Sequence, residues 1–169
     1  MPRADWPLSE MGRAQAEHVA GRLAEFAPLN IVSAPARRAK ETAEFCSKRL
    51  GKPVKVDARV GEIVAPKGVP DRQEWLDRVF RNQNGVLWSQ LDAATHKWRD
   101  DNIQAIRELR ENTVVFTHFA NINVIMGAAL HLDYTAVCRP NHISLTEFSV
   151  VGGDIRLVME GTEIVGPNE

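Results

Sequence analysis

Three side chains that can handle a phosphoryl group each follow a separate β-type run of this sequence. They are Arg38, Glu62 and His118. Because ligands of open α/β sheets sit beyond the carboxyl ends of the strands, we expect these residues to meet at one edge of a sheet. An arginine and a histidine together can hold a phosphoryl group, and a glutamate beside them can protonate a leaving oxygen. The pattern therefore indicates chemistry on a phosphorylated compound.

The first β-type run supplies further polar groups. Ser33 ends that run, and Arg37, Arg38 and Thr42 follow in a helix predicted to begin at Pro35. Arg38 and Thr42 are four residues apart and so share a helix face, while backbone N–H groups at the helix start add positive potential. Ser33 is therefore a candidate phosphate ligand beside Arg38.

Each candidate also has an ordinary structural interpretation. Arg38 could be a solvated helix residue, and Glu62 could lie on the surface of a glycine-containing loop. His118 closes a predicted buried strand, where a histidine is costly unless it is hydrogen-bonded or functional. No pair of histidines has metal-ligand spacing such as HExxH, so the sequence predicts no metal and no other cofactor.

The elements that must position these residues alternate between helical and strand periods. This alternation is typical of a layered α/β domain with a mostly parallel sheet. Helical patterns cover 9–26, 35–50, 71–110 with breaks at 82–85 and near 95, and 120–130. Strand patterns cover 30–33, 53–57, 113–117 and a hairpin of 142–150 and 155–159. Residues 58–70 are predicted to form a loop, and residues 161–169 a loose tail.

Composition limits the classes of function. The 169 residues, 44% of them hydrophobic, are enough for a single domain over 1–169. Lys and Arg number 21 against 22 Asp and Glu, so no general positive field exists for nucleic acid. The longest apolar stretch, near 122–130, is far shorter than the roughly 20 residues of a membrane span. Together with the lack of a signal-peptide pattern, these features predict a cytoplasmic protein.

The two cysteines do not favour a cysteine-based phosphatase. Cys46 lies inside a predicted helix, and Cys138 precedes an Arg-Pro pair. Neither begins a phosphate-cradling loop with an arginine close behind it, as thiolate chemistry on phosphate would require.

Four segments resemble successive signatures of the histidine phosphatase superfamily, which has the phosphoglycerate-mutase-like fold. They are PLSEMGRAQA at 7–16, SAPARRAKETA at 33–43, Glu-Ile at 62–63 and Thr-His-Phe at 117–119. They follow the family's order and spacing over nearly the whole chain. HFANIN at 118–123 is similar to one bacterial branch, whereas many other relatives have glycine after the histidine.

The resemblance implies a phosphohistidine mechanism and a three-layer fold. In the family, a neutral histidine attacks phosphorus, two arginines and a second histidine stabilise the phosphoryl oxygens, and an acid protonates the leaving group. Arg38 matches the second arginine, because it stands three residues after Pro35 and directly before Ala39. His118 matches the second histidine and Glu62 the acid. The implied partner is a phosphorylated small molecule or a phosphoprotein, and the oligomeric state is not readable from the sequence.

One family element is expected to be missing from this chain. The family opens with a strand ending in Arg-His-Gly or Arg-His-Ala, which supplies the nucleophile and the first arginine, whereas this sequence starts shortly before its first predicted helix. His18 is expected mid-helix and cannot replace the nucleophile; the histidines outside every motif are His96, His131 and His142. By resemblance the absent strand lies between 113–117 and the final hairpin. We therefore expect either a hairpin that moves over to pair with 113–117 or a gap with open strand edges.

Two functions remain open at this stage. The first is a phosphomonoesterase whose nucleophile segment is absent from the given sequence, so that the chain as given is inactive. The second is a non-catalytic domain that binds phosphorylated ligands or protein partners without turnover. The variable segment over the pocket, about 63–100, is short, which favours an open pocket and hydrolysis over a mutase reaction.

Overall fold

Helices and strands alternate through residues 5–162, which the computed structural model describes, with only the backbone included at Thr162. The helices are α1 (Glu10–Leu23), α2 (Arg37–Leu50), α3 (Arg72–Phe80), α4 (Ala93–Arg107) and α5 (Phe119–Leu130). The strands are β1 (Asn30–Ser33), β2 (Val54–Val56), β3 (Thr113–Phe116), β4 (Leu145–Val151) and β5 (Asp154–Thr162).

A parallel sheet in the order β2-β1-β3 forms the middle of three layers. Ile31 on β1 lies opposite Val114 on β3 and packs against a cluster built from α1 and α2. Val32, the next residue, points to the other face and packs against Ala105 of α4. Helices therefore cover both faces of the sheet, and the predicted three-layer α/β fold is confirmed.

Local signals set the helix boundaries. Ser9 caps α1 by accepting a hydrogen bond from the N–H of Gly12, and Gly51 ends α2 in the left-handed conformation. Helix α1 stops at Leu23, and a 3₁₀ turn covers the three remaining residues of the predicted helix. The break predicted near Thr95 lies a few residues earlier, because Asp92 caps α4 and accepts hydrogen bonds from Thr95.

The tryptophans of the 71–110 region pack the core, as their spacing in the sequence predicts. Trp75 and Trp88 are buried, and Trp98 packs against the same cluster with its ring centroid 6.2 Å from that of Trp88. The indole N–H of Trp88 donates to the carbonyl of Tyr134 at 3.0 Å. These residues therefore join the variable segment to the rest of the domain.

The first of the two outcomes expected beside β3, a hairpin that moves over to pair with it, is not found among residues 5–162. Strand β3 pairs with β1 on one edge, and within residues 5–162 no strand pairs with its other edge. The β4–β5 hairpin forms a separate antiparallel sheet instead of moving over. Asp5 belongs to no strand, and residues 1–4 lie outside the described residues. The instability or self-association expected from such edges stays a prediction.

The C-terminal strand is longer than predicted. β5 runs to Thr162 and so includes two residues of the predicted tail, and residues 163–169 lie outside the described part of the chain. The strand continues there because Thr162 still pairs with Leu145 of β4. As for membrane spans, the described helices include none with the length and apolar character needed to cross a bilayer.

A glycine comparison tests the packing of the variable segment. Gly85 has φ +64°, and a Cβ there would overlap the Thr135 hydroxyl and the Val79 carbonyl oxygen. Gly51 has φ +63° but open space around the Cβ position. We expect Gly85→Ala to lower the free energy of unfolding by about 1–3 kcal/mol more than Gly51→Ala. Both variants place alanine at a positive φ, but only the alanine at position 85 also overlaps its neighbours. Equal losses in urea unfolding would contradict this packing.

Candidate active site

The three residues predicted to act together meet in one place. Arg38 lies in the first turn of α2, and His118 is the residue that precedes α5 directly after β3. Arg38 Nη2 lies 3.3 Å from Glu62 Oε2 and 3.2 Å from His118 Nδ1. A single guanidinium nitrogen therefore contacts both the predicted acid and the predicted phosphate-stabilising histidine.

The contact between Arg38 and His118 defines the state of the imidazole in this arrangement. A guanidinium group only donates hydrogen bonds, so His118 Nδ1 must be the acceptor. The ring is then neutral and carries its proton on Nε2. In this tautomer Nε2–H is the hydrogen-bond donor of the His118 ring.

Three side chains fix the loop that leads to Glu62. Thr117 Oγ1 donates to the carbonyl two residues before Glu62 at 2.7 Å. Trp98 Nε1 and Asn121 Nδ2 both donate to the next carbonyl, at 3.1 and 2.9 Å. Because these donors come from α4, from the end of β3 and from α5, the loop is tied to the same elements that position His118.

Arg72 is a site residue that the sequence analysis missed. Its Nη2 lies 3.5 Å from Glu62 Oε1 and donates to the carbonyl of Ile63 at 3.2 Å. Burial lowers the pKa of the Arg72 guanidinium from its ordinary value. The Glu62 carboxylate thus lies between two guanidinium groups, those of Arg38 and Arg72.

A cleft of about 370 Å³ opens beside these residues. Apart from Glu62 and His118, its polar lining consists of Asp77, Arg81 and Arg139. The remaining lining is apolar and comes from Ile63, Leu76, Phe80, Phe119 and Ala120. The lining of the cleft therefore combines charged and apolar side chains.

Arg38 meets the cleft through its contacts with Glu62 and His118, whereas Ser33 neither lines the cleft nor forms a hydrogen bond with these residues. Ser33 is fully buried, and its hydroxyl donates to the carbonyl of Ala34 at 2.9 Å. The start of α2 is also engaged, because the backbone N–H of Arg37 donates to Asp5 Oδ1 at 2.8 Å. Thr42 bonds to the carbonyl of Arg38 and so supports the helix turn that carries it.

Other nucleophiles are poorly placed in the described residues. Among the five histidines of the chain, only His118 lines the cleft. Burial raises the pKa of the Cys46 thiol, and it raises that of Cys138 to about 11. Both thiols are therefore protonated at neutral pH and weakly nucleophilic. Residues 5–162 also hold no group of three or more His, Cys, Asp or Glu side chains suited to a metal ion.

Comparison with known proteins decides the family. The model of the histidine phosphatase superfamily, branch 1, matches residues 1–160. The chain belongs to the histidine phosphatase superfamily. Solved structures with the same fold include a phosphoserine phosphatase from Entamoeba histolytica, with a TM-score of 0.72 and 21% identity over 95% of this chain and 87% of that chain. YhfR of Bacillus stearothermophilus gives a TM-score of 0.71 and 23% identity over 91% of this chain and 84% of that chain.

Curated glucosyl-3-phosphoglycerate phosphatases match a shorter region. The chain is 47% identical over 101 residues to the glucosyl-3-phosphoglycerate phosphatase of Mycolicibacterium vanbaalenii, which is 57% of this chain and 38% of that protein. The enzyme of the same name from Mycobacterium tuberculosis also matches at 47% over 101 residues, 57% of this chain and 39% of that protein. The match thus spans well under half of each relative. These relatives of the chain are phosphatases.

Proposed function

We propose that this chain carries the phosphate-binding part of a phosphomonoesterase site of the histidine phosphatase family. The observation that carries the proposal is the position of Arg38 Nη2 within hydrogen-bonding distance of both Glu62 and His118. In the proposed complex Arg38 and His118 donate to the phosphoryl oxygens, which stabilises the charge that develops during phosphoryl transfer. The ligand class is a phosphorylated small molecule, as the names of the curated relatives suggest.

The proposed reaction needs a nucleophile from outside the motifs of this chain. The sequence contains no Arg-His pair, and within residues 5–162 no strand pairs with the second edge of β3, beside which an added strand could supply one. In the proposed mechanism the phosphoryl group takes the Arg38 guanidinium away from Glu62, so that the Glu62 carboxyl can gain a proton. A histidine of that strand then attacks phosphorus, the bond to the leaving oxygen breaks, and Glu62 donates its proton to that oxygen. Water then hydrolyses the phosphohistidine and releases inorganic phosphate.

A second candidate function rests on the placement of the histidines. Because His118 is the only histidine that lines the cleft, the 169-residue chain could bind a phosphorylated ligand without turning it over. The two candidates agree on phosphate binding by Arg38 and His118. They differ in whether the bound phosphomonoester is hydrolysed when a nucleophile is provided.

Hydrolysis of p-nitrophenyl phosphate separates the candidates. We expect no release above background from the 169-residue chain, because stabilising groups without a nucleophile supply only part of the catalysis. We expect clear release from the same chain carrying an added N-terminal strand that ends in Arg-His, and loss of that release in its His118→Ala variant.

Two outcomes would overturn one part of the proposal each, the need for an added nucleophile and the enzymatic function. Turnover by the 169-residue chain that His118→Ala abolishes would show that another of its residues attacks phosphorus. Phosphate binding by the strand-extended chain with no turnover would favour the non-catalytic binding function.

A further inference from the structure

The backbone around Glu62 is anchored on both sides. The carbonyl of the preceding residue accepts hydrogen bonds from Trp98 and Asn121. The carbonyl of Ile63, the following residue, accepts a hydrogen bond from Arg72 Nη2 at 3.2 Å. The same nitrogen lies 3.5 Å from the Glu62 carboxylate. Arg72 therefore contacts both the backbone beside the predicted acid and its side chain.

Helix α3 gives Arg72 a fixed position. Arg72 is the first residue of this helix, and Asp71 caps the helix by accepting hydrogen bonds from two backbone N–H groups. Trp75 and Val79 belong to α3 and are buried in the core. Leu76, which is four residues after Arg72 and so on the same helix face, lines the cleft. A packed helix thus places the guanidinium beside Glu62.

The two oxygens of the Glu62 carboxylate face different arginines. Oε2 lies 3.3 Å from Arg38 Nη2, whereas Oε1 lies 3.5 Å from Arg72 Nη2. The Arg38 nitrogen is also 3.2 Å from His118 Nδ1. Oε2 is therefore the oxygen on the side of the proposed phosphoryl site, and Oε1 is the oxygen on the side of α3.

We propose that Arg72 is a positioning residue that holds Glu62 through Oε1 and sets the pH range in which Glu62 carries its proton. The inference rests on the proposed function, because it assumes that a phosphoryl group takes the Arg38 guanidinium. Oε2 then loses its contact with Arg38, whereas Oε1 stays beside Arg72. Because a guanidinium only donates hydrogen bonds, it disfavours a proton on the oxygen that it faces. A proton taken up from solvent therefore binds Oε2, which faces the leaving group.

The charge of Arg72 favours the ionised form of Glu62 and so confines the acid to lower pH. An opposite charge within about 4–6 Å stabilises a carboxylate against protonation. The side chains of Arg72 and Glu62 are 33% and 26% exposed, so water screens this effect in part. The other charged or titratable groups at Glu62 and along its cleft include Arg38, His118, Asp77, Arg81 and Arg139.

Titration of the Glu62 carboxyl tests this inference. Carboxyl-carbon NMR of the 169-residue chain follows Glu62 against pH, and the loss of its signal in Glu62→Gln assigns it. Spectra are compared with and without saturating sulfate at matched ionic strength. Sulfate is a tetrahedral dianion like the phosphoryl group, but its charge stays constant in the range where carboxyl groups titrate.

Sulfate is expected to raise the midpoint of the Glu62 titration, because it takes Arg38 and adds negative charge. Arg72→Gln should raise the midpoint of the sulfate complex further, by about one pH unit, because it removes the remaining charge on the Oε1 side. This variant keeps a donor for the Ile63 carbonyl, so the loss of charge is tested apart from the backbone contact. Arg72→Lys, which keeps the charge, should restore at least about half of that change.

Arg78→Gln is the matched control. Arg78 is exposed on the same helix, and the described lining of the cleft does not include it. The variant deletes the same charge from α3 and should move the Glu62 midpoint by less than about a quarter of a pH unit. Melting curves report which variants are folded.

A crystal structure of the unchanged chain with sulfate supplies a second test, which does not depend on the folding of a variant. It should show Glu62 Oε1 still beside Arg72, with Arg38 turned to the sulfate. A Glu62 side chain that has left Arg72 in this complex overturns the inference.

The failures of the two proposals are distinguishable. If sulfate and inorganic phosphate bind but Arg72→Gln leaves the Glu62 midpoint in place, the role of Arg72 is wrong and phosphate binding stands. The same conclusion follows if Arg78→Gln moves the midpoint as far as Arg72→Gln does. If neither anion binds, the proposed function and this inference fail together.

Discussion

Replacing Arg38 with alanine is expected to weaken the binding of inorganic phosphate by about tenfold to a hundredfold. The guanidinium is the group that contacts both Glu62 and His118, so a phosphoryl group held there would lose a charge-assisted hydrogen bond. Such bonds contribute about 1.5–3 kcal/mol, which corresponds to this range of affinity. Calorimetric titration of the folded variant measures the change.

Arg37→Ala is the control for this prediction. Arg37 stands next to Arg38 in the sequence, but its Nε is paired with Glu41 at 2.7 Å. Its removal deletes the same charge from the same helix turn and should change phosphate affinity by less than about threefold, as expected for an exposed charge. An equal loss of affinity in the two variants would show that Arg38 contributes only general positive charge.

Trp88→Ala is expected to lower the free energy of unfolding by about 3–5 kcal/mol. Trp88 is only 1% exposed and packs beside Trp98. Its indole N–H donates to the carbonyl of Tyr134, so the variant would leave both a cavity and an unpaired carbonyl. The loss is large against the net stability of about 5–15 kcal/mol that is typical of a domain.

Trp6→Ala provides the matched comparison for Trp88. Trp6 is 73% exposed, and its removal should change the free energy of unfolding by no more than about 0.5 kcal/mol. Urea unfolding followed by far-ultraviolet circular dichroism measures both variants without depending on tryptophan fluorescence. If the urea midpoint of Trp88→Ala were close to that of Trp6→Ala, the assignment of Trp88 to the core would be wrong.

Local sequence signals predicted most of the fold because the elements that carry them are regular. The bounds of β1 agree with its β-type run, and Gly51 ends α2 at the predicted point. Asp92 indicates the start of α4 better than Thr95 does, since an aspartate at the N-cap position precedes the first turn of a helix. Strand β5 is longer than predicted because its pairing with β4 continues to Thr162. Local sequence patterns do not report this pairing.

The candidate site was predictable where its residues follow strands and not where they depend on packing. Arg38, Glu62 and His118 come together because parallel strands end at one edge. Ser33 does not join them, since the period of two in a strand places it on the same face as the core residue Ile31. The last residue of a buried strand is thus a weaker candidate for ligand binding than a residue just beyond the strand.

The two arginines that the sequence analysis did not assign show what local patterns cannot report. Arg72 reaches Glu62 from α3, and Arg139 reaches the cleft from a loop that Asn123 holds. Neither has a sequence spacing that relates it to the residues it meets, because the contacts arise only after the helices pack. The HFANIN segment at 118–123 was a usable signal, since its two asparagines fix both loops.

A crystal structure of the 169-residue chain soaked with inorganic phosphate tests the central claim most directly. The account predicts one phosphate that accepts hydrogen bonds from the Arg38 guanidinium and from His118 Nε2, with Glu62 beside it. Another cavity of the described residues, about 560 Å³ between Arg107, Arg110 and the β4–β5 turn, is the natural comparison site for an anion. Phosphate bound there while the Arg38–His118 contact stays empty of ligand would contradict the account.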